Sequence, residues 1–189
     1  MHPVSPRVSA TCFMASVAIA ASTAHADLIE EFDIGSGLFM SHVQVDFNNG
    51  NAYLFNVSYM EDDLSGWDLM LEIAESMDDL VDLDYSESQW GVFLTGIAIG
   101  DDHDWGDGSG WPDQDDYWAY WITGSNAQGL PMEWASSPVG ASDRIVHDGS
   151  WDGWTFNIDG ASAPQPVPAP GVLPCLLLAL NRGGRARRG

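Results

Sequence analysis

Apolar and polar positions alternate twice between His42 and Tyr59. Val43, Val45 and Phe47 share one parity, Asn48-Asn49-Gly50-Asn51 interrupts the run, and Tyr53, Phe55, Val57 and Tyr59 resume it. A period of two puts one set of side chains on one face of an extended strand, and the Asn/Gly cluster tolerates the positive φ of a tight reversal, so the pattern predicts a β-hairpin. The period then lengthens. Ser65 is placed to cap a helix, Asp68 sits at the capping-box position, and Trp67, Met70, Ile73, Ala74, Met77 and Val81 recur at helical spacing. Residues 89–99 read as a mostly buried strand, 100–116 as a loop and 117–123 as an aromatic strand. Residues 144–146 and 154–158 read as strands flanking the turn signal His147-Asp148-Gly149-Ser150. A hairpin, one helix and then more strands predict an α+β fold: a mainly antiparallel sheet with one helix packed across it, in a β-grasp-like arrangement.

Charge narrows the partners. The chain of 189 residues carries 28 Asp and Glu against 6 Arg and no Lys, a formal charge of −22. Residues 27–160 hold every acid and one Arg, so this acidic α+β domain has a formal charge of −27. Such a surface repels phosphate backbones, which excludes nucleic acid as a partner of the domain. Nine Trp and a 45% hydrophobic composition exclude a disordered acidic tail. Both cysteines, Cys12 and Cys175, lie outside 27–160, so the domain stands on its core, with neither a disulfide nor a thiolate metal site.

The ends read as addresses. Arg7, the apolar run 10–21 and the small-x-small pattern Ala24-His25-Ala26 make 1–26 a secretory signal peptide. Residues 161–171 form a Pro-rich linker containing Pro168 and Pro170. Residues 172–189 join a short apolar segment to Arg182, Arg185, Arg187 and Arg188. Pro-rich spacer, apolar segment and Arg cluster in that order resemble the PEP-CTERM sorting signal of exported bacterial proteins. The tail departs from that pattern at Ala169, where an acid is usual, and in the shortness of its apolar run. The resemblance implies processing by signal peptidase and by an exosortase-like membrane protease, and a location that is secreted or at the cell surface. Within the domain, Ser65-Gly66-Trp67-Asp68-Leu69-Met70-Leu71, DYWAYW at 116–121, Gly140-Ala141 and Asp148-Gly149 are distantly similar to the transcobalamin C-terminal-like, β-grasp-type family. That family includes corrinoid binders, so the likeness implies a fold without fixing a ligand.

Candidate chemistry is sparse. G-x-S-x-G, H-E-x-x-H and a phosphate loop are absent, and the domain histidines His42, His103 and His147 are scattered. The single domain cation, Arg144, has Asp143, Asp148 and Asp152 as possible partners. Trp118, Tyr120, Trp121 and Trp134 are the candidate aromatic platform for a glycan, a surface polysaccharide or a corrinoid-like ligand, provided one strand face is open; a sheet covered on both faces is the alternative. Asp101, Asp102, Asp104, Asp107, Asp113, Asp115 and Asp116, set among four glycines, are the candidate Ca²⁺ ligands. The alternative there is a solvated acidic loop that gathers counterions. The composite expectation is a non-enzymatic exported surface or matrix protein, with a ligand-binding module as the other reading. Mass spectrometry of protein from its native host should find Asp27 as the N-terminus; an intact Met1 would overturn the export expectation.

Overall fold

The hairpin read from the alternation is formed by β2 (Phe39–Asp46) and β3 (Asn51–Tyr59), which pair antiparallel around a turn closed by Gly50 at φ +91. The computed structural model describes residues 26–108, 116–157 and 162–166. The remaining elements are β1 (Asp27–Gly35), α1 (Gly66–Ser76), β4 (Val81–Ser88), β5 (Gly91–Ile99), β6 (Asp102–Trp105), β7 (Tyr117–Gly124), β8 (Ala135–Ser136) and β9 (Ser150–Asn157). A six-stranded sheet has the order β1-β3-β2-β9-β7-β8, and a three-stranded sheet the order β4-β5-β6.

The fold is mostly β with one helix, and so α+β. The larger sheet, however, is mixed rather than mainly antiparallel. β1 runs parallel to β3, and β9 parallel to β2. The second pairing follows from the connection: a parallel neighbour needs a long crossover, and α1 together with the small sheet supplies it between β3 and β9. β1 reaches its place by crossing the end of β3. Gly35 at φ +68 and Gly37 make that crossing, and a Cβ on either would overlap the backbone of Ser58 or Tyr59.

Three local expectations shift. α1 ends at Ser76 and Val81 opens β4, because Val81, Leu83 and Tyr85 also fit a period of two. The loop 100–116 contains β6. Residues 144–146 form a single bridge, Ile145 to Ser65, after a 3-10 turn at Ala141–Asp143.

The capping box forms as its sequence predicts. Ser65 Oγ accepts from the Asp68 N–H at 3.0 Å, and the Asp68 carboxylate accepts from the Ser65 N–H at 2.8 Å. Trp67, Leu69, Met70 and Ile73 of the helix are buried against Val43, Val45, Phe55 and Val57 of the sheet and Leu94, Ile97 and Ile99 of β5. One carboxylate interrupts this layer. Asp152 of β9 is 1% exposed. Arg144 Nε lies 3.7 Å from Asp152 Oδ1, and the Tyr120 hydroxyl donates to Oδ2 at 2.9 Å. Of the three partners open to Arg144, the fold selects Asp152. The helix starts directly on this pair: the Gly66 N–H donates to the Arg144 carbonyl at 2.8 Å, and a Cβ on Gly66 would lie 2.7 Å from Asp152 Oδ2 while overlapping Tyr120 Oη.

Helix propensity alone would favour Gly66→Ala by about 1 kcal/mol. Overlap with Tyr120 and Asp152 opposes it, and overpacking costs about 1–3 kcal/mol. The expected result in denaturant titration is net destabilisation; a more stable variant would show that the helix start is not seated as described.

Candidate functional site

The register of the large sheet assembles what the sequence scatters. One cross-strand row on the face away from α1 runs Asp33, Asn56, His42, Trp151 and Thr123, on β1, β3, β2, β9 and β7. The next runs Glu31, Leu54, Gln44, Gly153 and Trp121, and the third carries Asp46 beside Thr155. Adjacent side chains in a row lie about 5 Å apart, so residues 109 positions apart in sequence become neighbours, as His42 and Trp151 show.

In the first row, His42 Nδ1 is 2.7 Å from Asn56 Oδ1. Asn56 Nδ2 donates to Glu31 Oε1 and to Asp33 Oδ1, each at 2.9 Å. The imidazole stacks on Trp151 with centroids 4.3 Å apart. Trp134 meets the same indole edge-on at 6.3 Å, and Trp151 Nε1 donates to Ser125 Oγ at 3.1 Å. Burial lowers the His42 pKa, and its hydrogen bond to Asn56 offsets this only in part. The nearby Glu31 and Asp148 charges oppose the shift as well, and the net direction still favours the neutral ring.

A groove of about 490 Å³ lies over this row. Met40, Leu54, Trp151, Leu130, Pro131 and Pro166 supply its apolar lining; Glu31, Asp33, His42, Asn56 and Gln128 supply polar atoms. A turn holds the lip: Asn126 Oδ1 accepts from the N–H groups of Gln128 and Leu130, and Gly129 adopts φ +78.

The second and third rows anchor the start of the Pro-rich stretch expected as a linker. Gln44 Nε2 donates to the Gln165 carbonyl and the Gln165 N–H donates to Asp46 Oδ2, both at 2.7 Å; Thr155 Oγ1 donates to the Ser162 carbonyl at 2.8 Å. Pro164 is buried against Gly153, where a Cβ would displace it. Burial raises the Asp46 pKa to about 6 against the pull of its hydrogen bonds from Gln44 and Gln165. Burial likewise raises Asp152 to about 6, outweighing Arg144 and Tyr120.

The four expected platform aromatics fall on two faces. Trp118 is 6% exposed and packs edge-on against Phe47 and Phe156. Tyr120 stacks on Trp154 on the same, inner face. Trp121 and Trp134 lie on the outer face, half-buried, with Trp121 Nε1 donating to Thr155 Oγ1 at 3.0 Å. Trp118 and Tyr120 are thus core residues, and the four make no common platform. The exposed large aromatics among the described residues belong to the small sheet: Trp90, Phe93, Trp105 and Tyr85.

The acidic loop separates too. Asp113 and Asp115 lie outside the described residues. Asp102 accepts from the Tyr53 hydroxyl at 2.7 Å and from Asn49 and Asn51; desolvation raises its pKa, but these bonds outweigh that and hold it below the ordinary value. Asp104 accepts from the Asn48 N–H at 2.7 Å. Both carboxylates thereby tie β6 to the β2–β3 turn. Asp101 and Asp107 are exposed, and Asp116 is half-buried at the entrance to β7. Among the described residues no three His, Cys, Asp or Glu side chains converge as a metal site. Ala26 is buried at the head of β1. Ala24, Pro168, Pro170, Arg182, Arg185, Arg187 and Arg188 lie outside the described residues. No described helix is long and apolar enough to cross a membrane.

No protein-family model matches the chain, and no curated protein matches it. A solved structure from Ruminococcus gnavus ATCC 29149, provisionally described as a metal binding protein, is similar at TM-score 0.40 and 18% identity, over 66% of this chain and 100% of that one. A likeness of that size carries no argument about fold or function.

The raised carboxylates set a pH dependence. Asp46 and Asp152 keep their protons in the folded chain up to about pH 6, whereas the unfolded chain releases them near 3.8, the ordinary value for Asp. Between these values the folded state binds more protons, so stability falls as pH rises from about 4 to about 6, then levels. Each group contributes on the order of 3 kcal/mol. Thermal melts should show a higher midpoint near pH 4.5 than at pH 7, with a smaller difference in Asp46→Asn. A midpoint that rises through this window would overturn the assignment.

Proposed function

We propose that this is an exported, non-enzymatic ligand-binding module whose binding site is the groove over the Asp33–Asn56–His42–Trp151 row. The carrying observation is the groove itself: an apolar concavity of about 490 Å³ with a few convergent polar atoms, the usual form of a small-molecule site. The carboxylates of its lining, Glu31 and Asp33, are both held by the Asn56 amide, and His42 is bonded to that same amide rather than to a carboxylate that would raise its basicity. Both features favour binding over catalysis.

The volume suits a ligand of modest size more than a whole corrin macrocycle. Stacking of a sugar on Trp151 is disfavoured, because His42 covers one face of the indole and the residue is 2% exposed. Calcium has the least support of the expected ligands, since Asp102 and Asp104 already accept from the β2–β3 turn. The β-grasp-like reading draws support from the order β3-β2-β9-β7, with β2 and β9 parallel at its centre and α1 following the hairpin. Delivery through the signal peptide and the PEP-CTERM-like tail, with signal peptidase and an exosortase-like protease as partners, remains part of the proposal, on the residues given above.

A fragment screen against the mature protein, read by NMR at the Trp151 indole and Leu54 methyls, tests the site. Apolar fragments should bind saturably, and Leu130→Trp, which fills the groove from its lip, should weaken them by about tenfold or more. Binding unchanged in Leu130→Trp would move the site elsewhere.

A further inference from the structure

We propose that the groove selects a cationic amphiphile, a primary amine carried on an apolar body, over neutral or anionic ligands of the same shape; this rests on the groove being the binding site. Two observations converge on it. Glu31 and Asp33 stand two residues apart on β1 and so share a face. Asn56 Nδ2 donates to both carboxylates, which holds two like charges side by side without neutralising either. Arg144 is the only Lys or Arg among the described residues, and it lies on the opposite face of the sheet beside Asp152. An anionic ligand would therefore meet two carboxylates and no compensating charge, whereas an ammonium relieves both.

The second observation is His42, which is 8% exposed and lines the groove. Both Nδ2 hydrogens of Asn56 go to carboxylates, so its Oδ1 faces the ring and accepts from Nδ1–H. That tautomer leaves Nε2 as an acceptor, and no group among the described residues donates to it. Nε2 is not among the buried side-chain atoms left without a partner, so groove water reaches it in the free chain; a ligand N–H takes the place of that water as donor, whereas a carboxylate has no hydrogen to donate. Met40, Leu130 and Pro131, lining residues that keep accessible apolar surface, then take the apolar body of the ligand.

The test titrates octylamine, octanol and octanoate into the mature protein at low salt, following the His42 imidazole and Trp151 indole by NMR. Octylamine should bind roughly fivefold or more tighter than octanol, with octanoate weakest, and the gap should narrow with added NaCl because the carboxylates are solvent-exposed. Glu31→Gln with Asp33→Asn should bring octylamine to within about twofold of octanol and leave octanol unchanged. Asp62→Asn with Asp63→Asn, exposed acids outside the groove, should leave the preference intact, which separates a local pair from the general negative field. Equal affinities for the three compounds, or a preference that survives Glu31→Gln/Asp33→Asn, overturn amine selection while the groove remains a binding site. Absence of saturable shifts at both rings for all three compounds overturns amine selection and the groove reading together.

Discussion

Asp152 puts a carboxylate where the fold otherwise wants carbon. Its row on the inner face of the sheet reads Phe32, Phe55, Val43 and then Asp152. A charge at 1% exposure has lost its water, and one cation at 3.7 Å does not restore it, so its pKa rises in spite of Arg144. Arg144 Nε and Asp152 Oδ1 also lack close hydrogen-bond partners. What the pair supplies is placement. Tyr120 is held by its hydroxyl, the Arg144 carbonyl receives the Gly66 N–H, and the Val146 N–H reaches the Leu64 carbonyl. The helix thus starts with its N-terminal dipole beside a carboxylate that needs it, and the segment preceding β9 is pinned across that start.

Seating the helix on one face leaves the other to be covered by different means. The outer face carries Gln44, Asp46, His42 and Thr155, polar groups that a helix would leave without partners. Residues 162–166 cover one end, where the Gln165 backbone accepts from Gln44 Nε2 and donates to Asp46, while Gln44 Oε1 stays buried without a partner. The turn at Asn126–Leu130 and the edge of Trp134 cover another part. Between these two covers the sheet is bare, and the groove is that gap. Its polarity follows from the same division: the row beneath it was built for a wet face, yet burial has left His42 largely dry.

Features that depend on neighbours in sequence were legible from the chain. The Asn-Gly turn, the capping box at Ser65 and Asp68, and the aromatic strand are local, and the structure has all three. Pairing across the sheet was not legible. Nothing in the spacing of Asp33, His42, Asn56 and Trp151 brings them together; β1 must first cross the end of β3, and β9 must return parallel to β2. β1 itself was hidden because Glu30, Glu31 and Asp33 make an edge strand look like another acidic stretch. The aromatic strand misled in the opposite sense. Its alternation puts Trp118 and Tyr120 on the inner face, where they fill the core beside Phe47 and Trp154, and Trp121 on the outer, so half of the residues that looked most like a ligand platform serve packing.

The acidic composition has two physical roles. Asp102 and Asp104 are internal acceptors that fasten β6 to the hairpin turn, and their charge serves geometry. Glu31 and Asp33 are bridged by one amide at the rim of a groove, and their charge faces outward. Because the sole cation among the described residues is sequestered with Asp152, no internal group competes for that rim. A domain with many surface lysines would screen and partner such a pair, and its groove would present a mixed potential. Here the lack of Lys makes the potential at the groove of one sign, so selection by charge follows from composition as well as from local geometry.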